Sequence, residues 1–203
     1  RNGRGGPALV EMPFDVLEEE APEVDYTPVL RSRFGPDGES VAQAAKLLCE
    51  AKRPVLYAGQ GIHWSNAYAE LKELAELLAI PVCTSLPGKS SFDETHPLSL
   101  GSGGAAMPFT VRHFLDESDV ILGVGCSFTS TAFGIRMPLG KTIIHATLDP
   151  VELNRTLATD VALIGDAKLS LRALIDACKA IIGGTPRDMS AVADGLTSKG
   201  WFV

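Results

Sequence analysis

The chain has 203 residues, 45% of them hydrophobic and 21% charged, which suits a soluble globular protein with one good core. Its formal net charge of −7 argues against a nucleic-acid backbone or an anionic membrane as partner. No apolar run approaches the roughly 20 residues needed to span a bilayer, and no charged-then-apolar start resembles a signal peptide.

From the amino end, Ala8–Met12 reads as a short strand closed by Pro13, and residues 18–38, acidic and rich in Pro and Gly, read as a linker. Asp37 or Ser40 can cap a helix whose apolar face is Val41, Ala44, Ala45, Leu48 and Ala51. Pro54–Ala58 is a strand running into Gly59-Gln60-Gly61. Ser65 or Asn66 then caps a helix carrying Leu71, Leu74, Ala75 and Leu78.

A strand over Pro81–Cys83 opens into the long stretch Thr84–Gly101, which lacks both periodicities and reads as a structured loop at a strand's carboxyl end, where ligands sit in open α/β sheets. Gly101–Gly104 reads as a flexible loop. Pro108 suits the first turn of a helix reaching about Glu117. Asp119–Val124 is almost wholly apolar, as buried parallel strands are. Lys141–Leu148 is another strand, followed by a short helix through Leu153. Val161–Ile164 is the last strand, and Asp166 caps a helix with Leu171, Leu174, Ile175, Cys178, Ile181 and Ile182 on one face, stopped by Gly183-Gly184.

This alternation predicts an α/β fold: a Rossmann-like, doubly wound parallel sheet of about five to six strands with helices on both faces. The strand Ala8–Met12 lies outside it, as though it closed a preceding domain. The chain is therefore expected to begin inside one domain and end before another.

Candidate chemistry is sparse. Gly59-x-Gly61 follows a strand and precedes a helix. It serves either as a tight turn or as a backbone that a phosphate can approach at a helix amino terminus. The third glycine of the dinucleotide fingerprint is replaced by Trp64. Gly123-x-Gly125-Cys126-Ser127 offers the same two readings. Gly88-Lys89-Ser90 is not a P-loop, because Cys83 stands where that motif needs glycine. Asp149 and Asp166 read as N-caps that could also touch a ribose or adenine. His63, His96, His113 and His145 have no His or Cys partner at metal-ligand spacing, and no Gly-x-Ser-x-Gly elbow occurs. The four cysteines, far apart and without a Cys-x-x-Cys, read as small core residues in a reducing cytoplasm.

The stretch Pro54-Val-Leu-Tyr-Ala-Gly-Gln-Gly, the run Glu70-Leu-Lys-Glu-Leu-Ala-Glu-Leu-Leu-Ala-Ile-Pro-Val, the loop Thr84–Gly101, Ile144-His-Ala-Thr-Leu-Asp-Pro150 and Asp160-Val-Ala-Leu-Ile-Gly-Asp-Ala167 together resemble the central domain of thiamine-diphosphate-dependent enzymes of the acetolactate synthase and benzoylformate decarboxylase type. Gly6–Val16 resembles the end of that family's pyrimidine-binding domain. The resemblance implies residues 1–17 as the end of that domain, 18–38 as a linker, 39–184 as a central nucleotide-binding-like domain, and 185–203 as a linker toward a diphosphate-binding domain.

The resemblance further implies a cytoplasmic parent, a homodimer or homotetramer, that uses thiamine diphosphate and magnesium to decarboxylate or join 2-oxo acids. The activating glutamate and the Gly-Asp-Gly metal motif belong to the other domains. Ala193-Asp194-Gly195 is not that motif, so no catalytic or metal-binding residue is expected here. Some members' central domains bind FAD or ADP. The resemblance places the adenine-side contacts at Thr147, Leu148, Asp166 and Ala167, and the turns and helix amino termini at Gly59, Gly61, Thr84, Gly88, Lys89, Gly125 and Ser127 are where the rest of such a cofactor would lie. Two departures speak against it: Thr147 stands where FAD-binding members usually carry Asp, and Ser127–Thr131 stands where acetolactate synthases carry an Arg-Phe-Asp-Asp-Arg run. A free-standing NAD-dependent oxidoreductase domain is the remaining alternative, weakened by Trp64 and Thr147.

Overall fold

A computed structural model describes residues 3–30, 32–190 and Val192. Ala193–Gly195 and the end of the expected linker at 185–203 lie outside the described residues.

The chain forms two units, residues 1–33 and 34–203. Among its described residues the first has one short helix, α1 (Phe14–Leu17), whose Leu17 amide bonds the Pro13 carbonyl at 3.2 Å, and otherwise no regular element. Ala8–Met12 is not a strand: a strand exists only in a ladder, and no described segment pairs with these exposed residues.

The second unit is built on a parallel sheet. Among the described residues it has six strands: β1 (Pro54–Ala58), β2 (Val82–Ser85), β3 (Ser99–Gly103), β4 (Val120–Val124), β5 (Thr142–Thr147) and β6 (Val161–Ile164). Their order is β3-β2-β1-β4-β5-β6, and every pairing is parallel. β1 and β4 are buried at every position, as strands covered on both faces must be.

One face carries the larger core. There α2 (Gly38–Glu50), α4 (Tyr68–Leu78) and α6 (Ala167–Ile182) pack through Leu48, Leu71, Leu74, Leu171 and Leu174 onto Leu56, Leu122 and Ile144 of the sheet. Asp37 caps α2, its Oδ1 accepting from the Glu39 and Ser40 amides at 3.0 and 3.1 Å. The opposite face is covered by α5 (Phe109–Glu117) and the loop after β4, through Val111, Leu115 and Ile135.

Three local expectations change. Neither Ser65 nor Asn66 caps α4. A short helix, α3 (Gly61–Ser65), intervenes; Asn66 ends it in the left-handed region (φ 54°), and α4 starts after Ala67 without a side-chain cap. The stretch Thr84–Gly101 is also more ordered than a loop. Thr84 and Ser85 finish β2, a 3-10 turn spans Leu86–Gly88 with the Ser85 hydroxyl accepting from the Gly88 amide at 3.0 Å, and β3 begins at Ser99. Gly101–Gly103 thus belongs to an edge strand rather than a flexible loop. Ser and Gly have low strand propensity, but pairing with β2 overrides it.

Candidate functional site

In this strand order, the chain leaves β1 toward β2 and β3 on one side, while β4 leads to β5 and β6 on the other. The gap between the carboxyl ends of β1 and β4 is therefore the topological switch point, the usual ligand crevice of such sheets. All eleven candidate residues lie on strand ends, on the turns that follow them or at the first residue of the next helix.

Four are glycines that meet backbone to backbone. The Gly59 amide donates to the Val124 carbonyl at 2.8 Å, the Gly61 amide to the Gly125 carbonyl at 2.9 Å, and the Gly125 amide to the Ala146 carbonyl at 2.8 Å. A β-carbon on Gly59 would lie 2.3 Å from the Gly125 oxygen, one on Gly61 2.6 Å from the Gly125 Cα, and one on Gly88 2.5 Å from the Ala58 oxygen. Side chains cannot enter such gaps, and Gly125 also needs its positive φ of 63°. The turns after β1, β2 and β4 are knotted together here.

Thr147, Leu148, Asp166 and Ala167 gather at the ends of β5 and β6, where the Gly165 amide bonds the Thr147 carbonyl at 2.9 Å. The buried Asp166 carboxylate caps α6, accepting from the Lys168 and Leu169 amides at 3.0 and 3.3 Å, while its own amide donates to the Phe34 carbonyl at 2.8 Å. Thr147 Oγ1 accepts from the Asp149 amide at 3.3 Å.

The remaining three do not join these groups. Thr84 Oγ1 is 2.9 Å from Ser102 Oγ, Ser127 Oγ accepts from the Thr129 amide at 3.3 Å, and the exposed Lys89 pairs with Glu94 at 2.7 Å. Spacing did not mark His63 as a positioning residue. Its Nε2 donates to the Lys89 carbonyl at 3.0 Å while Nδ1 accepts from the Tyr68 hydroxyl at 2.9 Å, tethering the loop after β2.

A second row crosses the opposite face. Cys83, Tyr57, Gly123 and His145 are register neighbours on β2, β1, β4 and β5. Gly123 leaves a gap that the Phe128 ring fills, stacked on Tyr57 at 5.7 Å and edge-on to His145 at 4.9 Å. His145 Nε2 donates to the Cys126 carbonyl at 2.8 Å. Burial holds its pKa below the ordinary value, against the opposing pull of that bond and of Glu152. Burial also pushes the Cys83 and Cys126 thiols up to about 12 and the Tyr57 phenol well above its usual range. The near-continuous apolar run of β5 marks His145 as buried; nothing local marks its partners.

An anionic ligand such as a pyrophosphate does not fit this end of the sheet well. The Asp166 carboxylate already occupies the α6 amides, and Gly61 donates to Gly125. Lys89 is engaged by Glu94, and Arg155 lies 3.6 Å from the buried Glu152. Neither of these two cations is left free to clamp a diphosphate. Among the described residues, no group of three or more His, Cys, Asp or Glu side chains could hold a metal ion.

Residues 41–174 match the family described as the thiamine pyrophosphate enzyme central domain. The probable acetolactate synthase large subunit of Methanococcus aeolicus is 37% identical over 185 residues, covering 86% of this chain and 31% of that protein. The acetolactate synthase large subunit of Corynebacterium glutamicum is 36% identical over 202 residues, 96% of this chain and 32% of its own length. Among solved structures, benzoylformate decarboxylase from Polynucleobacter necessarius superposes with a TM-score of 0.67 at 25% identity, over 87% of this chain and 33% of that one. A putative thiamin diphosphate-dependent enzyme isolated from Mycobacterium smegmatis gives 0.64 at 28% identity, over 81% and 31%. The chain spans about a third of the length of the curated relatives it matches.

Proposed function

The chain belongs to the family of thiamine pyrophosphate enzyme central domains, and from that premise we propose that it is the middle portion of an acetolactate-synthase-like enzyme that decarboxylates or joins 2-oxo acids. Residues 39–184 form the central domain in this reading, 1–17 end the pyrimidine-binding domain, and 18–38 and 185–203 are connections. The observation that carries it is the coverage of acetolactate synthase large subunits over 86–96% of this chain but only 31–32% of theirs. The exposed Leu9, Val10, Met12, Phe14 and Leu17 support it, since so many apolar side chains in one short unit call for a covering neighbour.

Thiamine diphosphate would supply the electron sink for loss of the substrate carboxylate, with magnesium holding its diphosphate. Both would sit on parts of the parent outside this chain, and the parent would be a cytoplasmic homodimer or homotetramer. Among the described residues no helix is long and apolar enough to cross a membrane.

The domain itself is architectural in this reading. Its crevice amides and the Asp166 carboxylate are spent on the fold, which favours a spacer over a nucleotide module. The test has two arms. The full-length protein, given thiamine diphosphate, magnesium and pyruvate or another 2-oxo acid, releases carbon dioxide; no turnover with any 2-oxo acid removes the enzymatic reading. The 203-residue chain, heated with millimolar ADP, FAD or NAD, keeps its melting temperature. Ligand at 100 times its dissociation constant would stabilise by about 2.7 kcal/mol, so a clear upward shift replaces the spacer with a nucleotide-binding module.

A further inference from the structure

Every strand of the parallel sheet is followed, past its carboxyl end, by an exposed large apolar side chain. Trp64 lies in α3 after β1, Leu86 opens the 3-10 turn after β2, and Phe109 opens α5 after β3. Phe133 lies in the long loop after β4, Val151 in the 3-10 turn Pro150–Glu152 after β5, and Leu169 in the first turn of α6 after β6. Single exposed apolar residues are ordinary, but one after each of six strands is not a random scatter. Leu86 and Phe133 converge on Gly104, where a built β-carbon would lie 3.0 Å from Leu86 Cδ1 and 3.1 Å from the Phe133 carbonyl oxygen.

Charge is distributed the other way. The stretches 59–66, 104–109 and 125–135, which follow β1, β3 and β4, contain no Asp, Glu, Lys or Arg. The amino end of the sheet is bound by charged groups. Arg53 pairs with Glu117, the Asp119 carboxylate accepts from the Lys52 and Arg53 amides at 2.7 and 3.0 Å, and Lys141 Nζ donates to the Asp116 carbonyl at 2.5 Å. Among the described residues of this unit, the exposed large apolar side chains at that end are Leu139, before β5, and Ile181, in the last turn of α6. A patch depleted of charge and carrying Trp and Phe has the composition of an interface core.

We propose that the carboxyl end of the sheet is a docking face for the remainder of the parent polypeptide, which meets it through an apolar, largely uncharged surface. This rests on the reading of the chain as one part of an acetolactate-synthase-like enzyme. The chain spans 31–32% of such relatives, so in that reading most of the parent lies outside it and supplies the cover. The polypeptide also enters the sheet-bearing unit at this end. The Phe34 carbonyl accepts from the Asp166 amide at 2.8 Å, at the start of α6, and a β-carbon on Gly165 would lie 2.8 Å from the Gly35 carbonyl carbon. After α6 the chain runs along the opposite, charged end, where the Arg187 amide bonds the Leu77 carbonyl of the last turn of α4 at 3.0 Å. Entry and apolar face thus coincide, and the charged end stays in water.

The test compares amide hydrogen exchange in the 203-residue chain and in the full-length protein. In the full-length protein the amides of 104–109 and 130–134 exchange about ten-fold more slowly than in the 203-residue chain, while those of 138–141 keep their rate. Phe133 and Val151 are 75% and 72% exposed, so the double variant Phe133→Glu, Val151→Glu leaves the melting temperature of the 203-residue chain unchanged. In the full-length protein it returns exchange at 104–109 and 130–134 toward the rate of the 203-residue chain. Leu139→Glu, at the other end, alters neither. Equal exchange of 104–109 and 130–134 in the two proteins overturns the proposal. So does sedimentation of the 203-residue chain as a dimer that the double variant splits, because the occupant is then a second copy. Turnover of a 2-oxo acid by the same full-length sample keeps the two readings apart. Protection without turnover upholds the docking face and removes the enzymatic reading, whereas turnover without protection overturns the docking face alone.

Discussion

The ring of Phe128 occupies the space that a side chain on Gly123 would need: a β-carbon there would lie 2.2 Å from the ring's Cζ. Gly123 sits between Tyr57 and His145 in the sheet's cross-strand row, so its missing side chain makes the slot in which Phe128 meets both rings. Gly123→Ala expels the ring and costs about 1–3 kcal/mol, the usual penalty for overpacking. Phe128→Ala, at a half-buried site, costs about 2 kcal/mol. Because both act through one slot, Gly123→Ala adds almost nothing once Phe128 is gone. Urea denaturation of both single variants and the double variant measures this coupling; strictly additive costs would show that the ring does not depend on the slot.

Where a segment's burial follows from its own residues, the sequence reading and the fold agree. β1 and β4 are apolar at nearly every position because both faces are covered, and α6 shows its face at helical spacing. β3 was hidden because only Leu100 among its five residues is a large apolar side chain, and its strand state comes from pairing with β2. The crevice shows the same limit. Glycines after β1 and β4 signal turns, and their position at strand ends follows from an alternating fold. The contact of Gly61 with Gly125 joins residues far apart in sequence, so no local pattern could tell a turn that cradles a ligand from one that cradles another turn.

Asp166 offers a way to separate capping from ligand binding. Its Oδ1 takes two α6 amides, and an asparagine oxygen can do the same. Asp166→Asn therefore loses only a few tenths of a kcal/mol, from weaker interaction with the helix dipole, whereas Asp166→Ala loses about 1–2 kcal/mol. Equal losses from the two variants, measured by chemical denaturation, would mean that the negative charge rather than the cap is what the fold uses.

His145 predicts an acid-sensitive core. Burial lowers its folded pKa below the roughly 6.5 of the unfolded chain. Well above pH 6.5 both states hold the ring neutral, and its contribution is fully present. As pH falls through 6.5 toward the lowered folded value, the unfolded chain takes up the proton first, and stability falls by at most about 1.4 kcal/mol per pH unit. His145→Gln, which keeps a donor for the Cys126 carbonyl, removes this slope. The measurement is the stability difference between the chain and the variant at pH 7.5 and 5.5; a difference that does not change with pH would place the acid sensitivity elsewhere.

The glycine knot makes the sharpest demand on the architectural reading of the crevice. Gly61→Ala puts a methyl group 2.6 Å from the Gly125 Cα, where the obstacle is backbone and cannot swing aside, so the two turns must part and strain the 2.9 Å bond between them. A loss of about 2–3 kcal/mol is expected. Gly125→Ala meets the same wall and must also hold alanine at φ 63°, which adds about 1–2 kcal/mol. Gly140, at φ 74° with no atom within 4 Å of a built β-carbon, isolates the conformational part alone, and Gly140→Ala costs only about 1–2 kcal/mol. The order Gly125→Ala, then Gly61→Ala, with Gly140→Ala as the reference for backbone strain, distinguishes close packing from positive φ. If Gly61→Ala folds with undiminished stability, the turns have room to separate, packing no longer accounts for the glycine, and a ligand approaching that backbone becomes the better explanation.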